Sequence, residues 1–364
     1  MDAIKVLVID DSAMVRKLVT EILSSDEQIE VVGTAANALI AREKIKALNP
    51  DVLTLDVEMP KMDGLTFLKN LMRLRPMPVV MLSTLTAKGT EQTLEALNIG
   101  AVDFVCKPKG SGHNLDQCAE ELVAKIKSAA KANVKNIADS KWHVIERSRE
   151  KVAQIVSRSL LSKVRLIAIG SSTGGTEAIR HVLERLPEYC PPIVIAQHIP
   201  KEFSGPFAAR MNSVSAMQVK EAEHGESIEA GHVYLAPGSH HLTVEKCGIN
   251  RYRCCLDLHE PVNRHRPSVD VLFNSVSVNV GREAMGILLT GMGKDGAVGL
   301  GTLRDLGAIT IAQDEATSVV WGMPGEAVKI GAADYVIPLD DIAQKILSLA
   351  NDRDSGNNNA ATGT

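Results

Sequence analysis

One pattern recurs along this chain and constrains its fold more than anything else. Short apolar runs end in a polar residue capable of chemistry, and each is followed by a stretch with apolar residues at helical spacing. Lys5-Val6-Leu7-Val8-Ile9 ends in Asp10-Asp11-Ser12, and Met14, Val15, Leu18, Val19 and Ile22 then mark the inner face of a helix. Val31–Ala35 is a second strand, and the helix Ala38–Leu48 after it stops at Asn49-Pro50. Asp51–Asp56 ends in a carboxylate, Pro78–Ser83 in a hydroxyl and Val102–Pro108 in the ammonium of Lys107. Strands that alternate with helices predict a parallel, doubly wound α/β sheet, whose ligands gather at the carboxyl ends of the strands.

Those ends place Asp10, Asp11, Asp56, Ser83 and Lys107 along one edge. Clustered carboxylates repel one another and call for a cation, and oxygen-only ligands suit Mg²⁺. Asp56 can then accept a phosphoryl group while the metal and Lys107 neutralise its oxygens. Ser83 can hydrogen-bond the new phosphoryl group and act as a switch. Taken singly, each residue also fits a surface carboxylate or a helix cap.

The second half opens the same way. Arg165-Leu166-Ile167-Ala168-Ile169 is a buried strand expected to break at Gly170, and helical spacing resumes from Glu177 with Ile179, Val182, Leu183 and Leu186. Ser172, inside Gly170-x-Ser172-x-Gly174, therefore sits at a strand–turn–helix junction, where a hydroxyl is exposed beside helix N–H groups. That geometry suits an acyl-transfer nucleophile; a helix-starting Gly/Ser turn and a phosphate-cradling loop remain open alternatives. The next strand, Pro192–Ala196, leads to His198, and Ala284–Thr290 leads through Gly291-Met292-Gly293 to Asp295. Neighbouring parallel strands bring Ser172 and His198 to one edge. His198 then serves as base, Asp295 orients it, and N–H groups near Thr173–Gly175 or Gly291–Gly293 receive the oxyanion.

Ten histidines compete for the base role. His181 reads as a helix-surface or groove residue, His143, His224 and His259 as loop or surface residues, and one of His240 and His241 as cleft-lining. Asp270 and Asp314 are rival acids, and Asp270 could instead cap a helix. The α/β-hydrolase fold is excluded, because Ser172 follows the first strand of its domain and the acid comes last.

The chain has 364 residues, which suggests two domains, perhaps three, and the patterns place them at residues 1–125, a linker over 126–162, a second domain over 163–350 and a disordered polar tail over 351–364. A net charge of −4 and 3% aromatic residues give no footprint for nucleic acid. No apolar run reaches membrane-spanning length and no secretion signal stands out, so a cytoplasmic protein with reduced thiols is expected from its six cysteines.

The motifs resemble two families. Asp10-Asp11, Asp56 followed by Met59-Pro60-Lys61-Met62-Asp63-Gly64, Ser83 and Lys107-Pro108 resemble a response-regulator receiver, which is flavodoxin-like. The resemblance implies Asp56 as phospho-acceptor and a histidine kinase as donor. It implies Asp11, Asp56 and the Glu58 carbonyl as Mg²⁺ ligands supported by Asp10, and Phe104 as an aromatic switch residue. Ile169–Ile179, Gln197-His198-Ile199-Pro200, His265–Phe273, Leu289–Gly296, Ala312-Gln313-Asp314 and Gly322-Met323-Pro324 resemble the catalytic domain of the chemotaxis protein-glutamate methylesterases, a larger Rossmann-like hydrolase domain. That implies hydrolysis of glutamate methyl esters and deamidation of glutamines on chemoreceptors, without a cofactor for hydrolysis. It assigns Ser172, His198 and Asp295 to the triad, the Met292 N–H to the oxyanion, and Thr173 to a place beside the triad. Lys294 and the Gly325 segment depart from the family pattern. The expected protein is a monomer without direct membrane insertion. Its receiver covers the Ser172 cleft until Asp56 is phosphorylated. A nucleotide-binding scaffold, a phosphate sink and a transcription regulator are the rival readings.

Overall fold

The structure is a computed structural model that describes residues 3–60, 62–84, 86–107, 113–134 and 164–351. Lys61, Pro108, His143 and almost all of the expected linker and tail lie outside the described residues. The chain forms two compact units.

The first unit runs β1 (Ile4–Ile9), α1 (Ala13–Ser24), β2 (Ile29–Ala35), α2 (Ala38–Leu48), β3 (Val52–Asp56), α3 (Gly64–Leu74), β4 (Val79–Ser83), α4 (Ala87–Ile99), β5 (Asp103–Cys106) and α5 (His113–Ala129). Its sheet is parallel with order β2-β1-β3-β4-β5. The polar residues after the strands also start the helices. Ser12, Asn37, Asp63 and Thr86 each accept a backbone N–H of the following first turn. The strand order reverses between β1 and β3, where Ile9 pairs with Leu55, so Asp10 and Asp56 leave the sheet side by side. Met14 departs from its expected place: it is 80% exposed, and α1 buries Val19, Ile22 and Leu23. At about 100° per residue Met14 lies roughly 140° around the helix from Val19, on the solvent side.

The second unit begins with β6 (Leu166–Ser171), α6 (Gly175–Leu183), β7 (Ile193–Gln197), α7 (Lys201–Val214), β8 (Gln218–Glu221) and β9 (His232–Leu235). A hairpin follows, β10 (His241–Gly248) and β11 (Arg251–Asp257), then α8 (Val269–Asn279), β12 (Ala284–Leu288), α9 (Ala297–Asp305), β13 (Ile309–Gln313), α10 (Met323–Lys329), β14 (Tyr335–Ile337) and α11 (Leu339–Asn351). Seven strands form a parallel sheet in the order β14-β13-β12-β6-β7-β9-β8. The antiparallel hairpin stands apart from it and packs Leu242, Val244, Tyr252 and Cys254 into a core shared with Leu272, Phe273 and Val276 of α8. All six cysteines are free. Among the described residues, no helix is long and apolar enough to cross a membrane.

Strand β6 does not break at Gly170 but continues to Ser171. Gly170 is there for close approach: a Cβ at this position would lie 2.1 Å from Val269 Cγ1 on α8. The turn itself is made by Gly174, with φ of 76°. His181 is also not a surface residue. It is 8% exposed, and its Nε2 lies 2.5 Å from Asp340 Oδ1 on α11, because α11 covers that face of α6. Gly170→Ala is expected to destabilise the second unit by about 1–3 kcal/mol, the usual cost of overpacking, read as a lowered unfolding midpoint.

Candidate active site

In the first unit the strand ends build a buried charge cluster. Asp10 and Asp56 are 0% and 2% exposed, and Lys107 Nζ lies 2.8 Å from Asp10 Oδ2 and 2.7 Å from Asp56 Oδ1. Asp11 is exposed, and one carboxylate oxygen from each of Asp10, Asp11 and Asp56 falls within 4.8 Å of the others. Burial pushes the Asp56 carboxyl up to about 6; the hydrogen bond and charge of Lys107 pull it down, and the Asp10 charge pushes it further up. Burial opposes the charge on Lys107, yet the two carboxylates hold its pKa above the ordinary value. An oxygen-only, net-negative cluster of this kind fits a small divalent cation. The Glu58 N–H donates to Asp56 Oδ1. The Ser83 Oγ is buried, 2.6 Å from Thr93 Oγ1 on α4. Phe104 is buried at 4% exposure, with Lys125 Nζ 5.1 Å from its ring centre.

In the second unit the strand order reverses around β6, with β12 on one side and β7 on the other. Ser171 pairs with Gln197 across β6 and β7, so Ser172 and His198 are the next residues out of the sheet. The Ser172 N–H donates to Thr290 O at the end of β12. Gln197 Nε2 donates to both Ser172 O and His198 O, fastening the two strand ends together. Gly291 admits this contact, since a Cβ there would lie 2.3 Å from Met323 Sδ and 2.8 Å from Ser172 Cβ.

His198 Nε2 lies 2.8 Å from Asp295 Oδ2. Its Nδ1 is buried without a hydrogen-bond partner, so Ser172 and His198 are neighbours not joined by a hydrogen bond. Asp295 is 2% exposed. Its Oδ2 also accepts the Val269 N–H, and its Oδ1 accepts Ser268 Oγ, Asn263 Nδ2 and the Asp270 N–H. Burial alone would raise the Asp295 pKa; the hydrogen bond and charge of His198, then the bonds from Asn263 and Val269, outweigh it and hold the carboxyl well below the usual range.

Other expectations are corrected here. The Gly175 N–H, expected to be open to an oxyanion, donates to Ser172 O at 2.7 Å. Thr173 is buried beside Ser172, and its carbonyl accepts Thr290 Oγ1. Met292, in the Gly291–Gly293 loop, is half-buried. Asp314 is occupied by the N–H and Oγ1 of Thr317. Asp270 does cap a helix, as expected, though not its own: Ser268 caps α8, while Asp270 Oδ1 accepts the Gly299 N–H in the first turn of α9 and Oδ2 accepts Asn263 Nδ2. His241 is buried, with Nδ1 accepting the Ser268 N–H. His224 and His259 are exposed, as expected.

Comparison with known proteins finds relatives for both units. The family model for the response regulator receiver domain matches residues 6–117, and that for CheB methylesterase matches residues 167–346. A protein-glutamate methylesterase/protein-glutamine glutaminase of Hydrogenovibrio crunogenus is 54% identical, covering 96% of this chain and 99% of its own. One from Xanthomonas euvesicatoria pv. vesicatoria is 55% identical, covering 95% and 97%. The chain belongs to the protein-glutamate methylesterase/protein-glutamine glutaminase family. The solved CheB methylesterase catalytic domain of Thermotoga maritima is 38% identical, with a TM-score of 0.50, covering 51% of this chain and 98% of that one.

Within the methylesterase domain, sequence reasoning gave no role to Asn263, His265 or Ser268, although the last two lie inside a motif it quoted. The segment between β11 and α8 has no periodicity from which to read them. Within the receiver, the raised Asp56 pKa yields a stability prediction. A proton bound more tightly in the folded state adds stability that is full below the ordinary carboxylate range and lost as pH rises through about 6. Asp56→Asn is therefore expected to raise the receiver's melting temperature at pH 7.5 by a few degrees, with the difference vanishing below the ordinary carboxylate range. Added Mg²⁺ is expected to narrow the gap at pH 7.5 by stabilising the wild type. Calorimetry across pH checks both.

Proposed function

We propose that this chain hydrolyses glutamate methyl esters, and deamidates glutamines, on chemoreceptors in chemotaxis adaptation, and that phosphorylation of Asp56 raises this activity. The carrying observation is the hydrogen bond between His198 and Asp295 beside Ser172 at the reversal point of the sheet.

The chemistry follows from the ring orientation. Asp295 holds a proton on His198 Nε2, which leaves the Nδ1 lone pair as the base. Nδ1 takes the Ser172 hydroxyl proton as Oγ attacks the ester carbonyl. The resulting oxyanion is received by the Met292 N–H, with Thr173 beside the triad. Collapse transfers the proton from Nδ1 to the departing methoxide, releasing methanol, or to the amine, releasing ammonia from a glutamine. Water, deprotonated by the same nitrogen, then frees glutamate and regenerates Ser172. Asp295 stays ionised throughout, in keeping with its depressed pKa.

In the receiver, Asp11, Asp56 and the Glu58 carbonyl would hold Mg²⁺, with Asp10 in support. When bound, the metal supplies charge neutralisation for phosphoryl transfer to Asp56. Lys107 adds a second cation at the phosphoryl oxygens. The donor is a histidine kinase. Ser83 turns from Thr93 toward the phosphoryl group and Phe104 follows, linking the modification to a change in shape. On this reading the protein is a cytoplasmic monomer organised as 1–125 receiver, 126–162 linker, 163–350 methylesterase and 351–364 tail.

The test is methanol release from methylated receptor membranes, with and without a small phosphodonor plus Mg²⁺. Release is expected to rise with phosphodonor in the intact protein, to lose that rise in Asp56→Asn, and to fall at least about a thousandfold in Ser172→Ala. Turnover retained in Ser172→Ala would mean a different nucleophile.

A further inference from the structure

The segment between β11 and α8 reverses in a tight turn. Val262 and His265 exchange both backbone hydrogen bonds, at 3.1 and 2.9 Å, and the two residues between them, Asn263 and Arg264, are left-handed with φ of 52° and 69°. Two successive left-handed residues define the mirror-image hairpin turn, which Asn at the first position suits and Arg at the second does not. The base of the segment is tied by Arg266, whose Nη1 donates to Leu258 O and His259 O.

The two inward-facing side chains of this turn meet the reacting pair separately. Asn263 Nδ2 donates one hydrogen to Asp295 Oδ1 and the other to Asp270 Oδ2, both at 2.8 Å. The His265 ring stacks on the His198 ring with centroids 3.7 Å apart and planes inclined by 11°. Because an amide –NH₂ has two hydrogens, this use of Asn263 is complete, and an aspartate there could not reproduce it. A stacked ring restricts tilt of the imidazole, which its single hydrogen bond to Asp295 leaves free.

We propose that the Val262–His265 turn is a clamp on the catalytic pair, with Asn263 positioning Asp295 and His265 positioning the imidazole of His198. This rests on the reading of Ser172, His198 and Asp295 given above and adds two positioning residues to it. An unusual backbone in the turn is what allows neighbouring residues to grip both members of the pair at once.

The groups that bear on His198 are Asp295 from the loop before α9, with Lys294 next to it in the chain, and His265 from the turn. Asp270 of α8 acts through Asn263, and His241 of β10 acts through the Ser268 N–H. Removing the Asn263 amide leaves the Asp295 anion less shared among donors, so it pulls harder on the proton of His198.

The experiment uses the full chain with methylated receptor membranes, phosphodonor and Mg²⁺. Asn263→Gly keeps the left-handed backbone and deletes the amide. It is expected to lower kcat by about tenfold or more and to change KM by less than about threefold. His265→Ala is expected to lower kcat likewise, and His265→Phe, which restores a stacked ring, to recover most of the loss. Wild-type kcat in Asn263→Gly, or equal losses in His265→Ala and His265→Phe, would overturn the clamp. If Asn263→Gly does not fold by circular dichroism, the His265 pair decides. Ser172→Ala runs alongside: turnover there sinks the triad reading itself, whereas its loss together with unaltered clamp variants sinks only the clamp.

Discussion

A buried carboxylate that must stay charged is the constraint on which the catalytic half depends. Asp295 is withdrawn from water, and a carboxylate so placed neutralises itself unless donors surround it. Here the donors come from separate parts of the chain. The first turn of α8 contributes two N–H groups and the Ser268 hydroxyl, the turn before it contributes Asn263, and the strand end of β7 contributes His198. The amino end of α8 adds its dipole in the same sense. With its lone pairs so committed, Asp295 has one orientation and lends it to the imidazole. Breaking such an arrangement by removing one charged partner typically costs about 3–5 kcal/mol, so the site and the stability of the loops around it are coupled.

The sheet supplies the rest of the geometry. Residues 172, 198 and 295 are far apart in sequence, but each follows the carboxyl end of one of three adjacent parallel strands. The receiver repeats the solution with different chemistry: Asp56 and Ser83 end β3 and β4, and Asp10 and Lys107 follow β1 and β5. In both units the decisive contact lies where the strand order reverses, because the helices on either side diverge there and leave the strand ends open. One half uses this crevice to crowd carboxylates around an ammonium, the other to set a hydroxyl beside a hydrogen-bonded imidazole.

What could be read from the sequence follows from this arrangement. Strand ends are legible because apolar runs are short and their last residues are polar, so the sequence alone places Ser172, His198, Asp295, Asp56 and Lys107 at the carboxyl edges of the two sheets. Residues placed by close approach or by loops were not. Gly170 looked like a break and is instead a strand residue lying against Val269. The β10–β11 hairpin does not read as an apolar run, because Thr243, Glu245, Lys246, Arg251 and Arg253 interrupt it. Met14 failed on rotation around the helix, and His181 because α11 covers it from more than a hundred residues away. Asn263 acts through a left-handed backbone that no apolar period marks. The contacts of a side chain are equally invisible: nothing in the sequence marks Thr93 as the partner of the Ser83 hydroxyl.

The account stands most directly on the tautomer of His198. Nitrogen-15 NMR of imidazole-labelled full-length protein, with the resonance assigned by His198→Gln, reads it without turnover or substrate. The hydrogen bond to Asp295 requires a proton at Nε2 with Nδ1 bare, converting to the Nδ1-protonated or averaged form in Asp295→Asn. A wild-type His198 that is already protonated at Nδ1, or that averages between tautomers as an exposed histidine does, would contradict it.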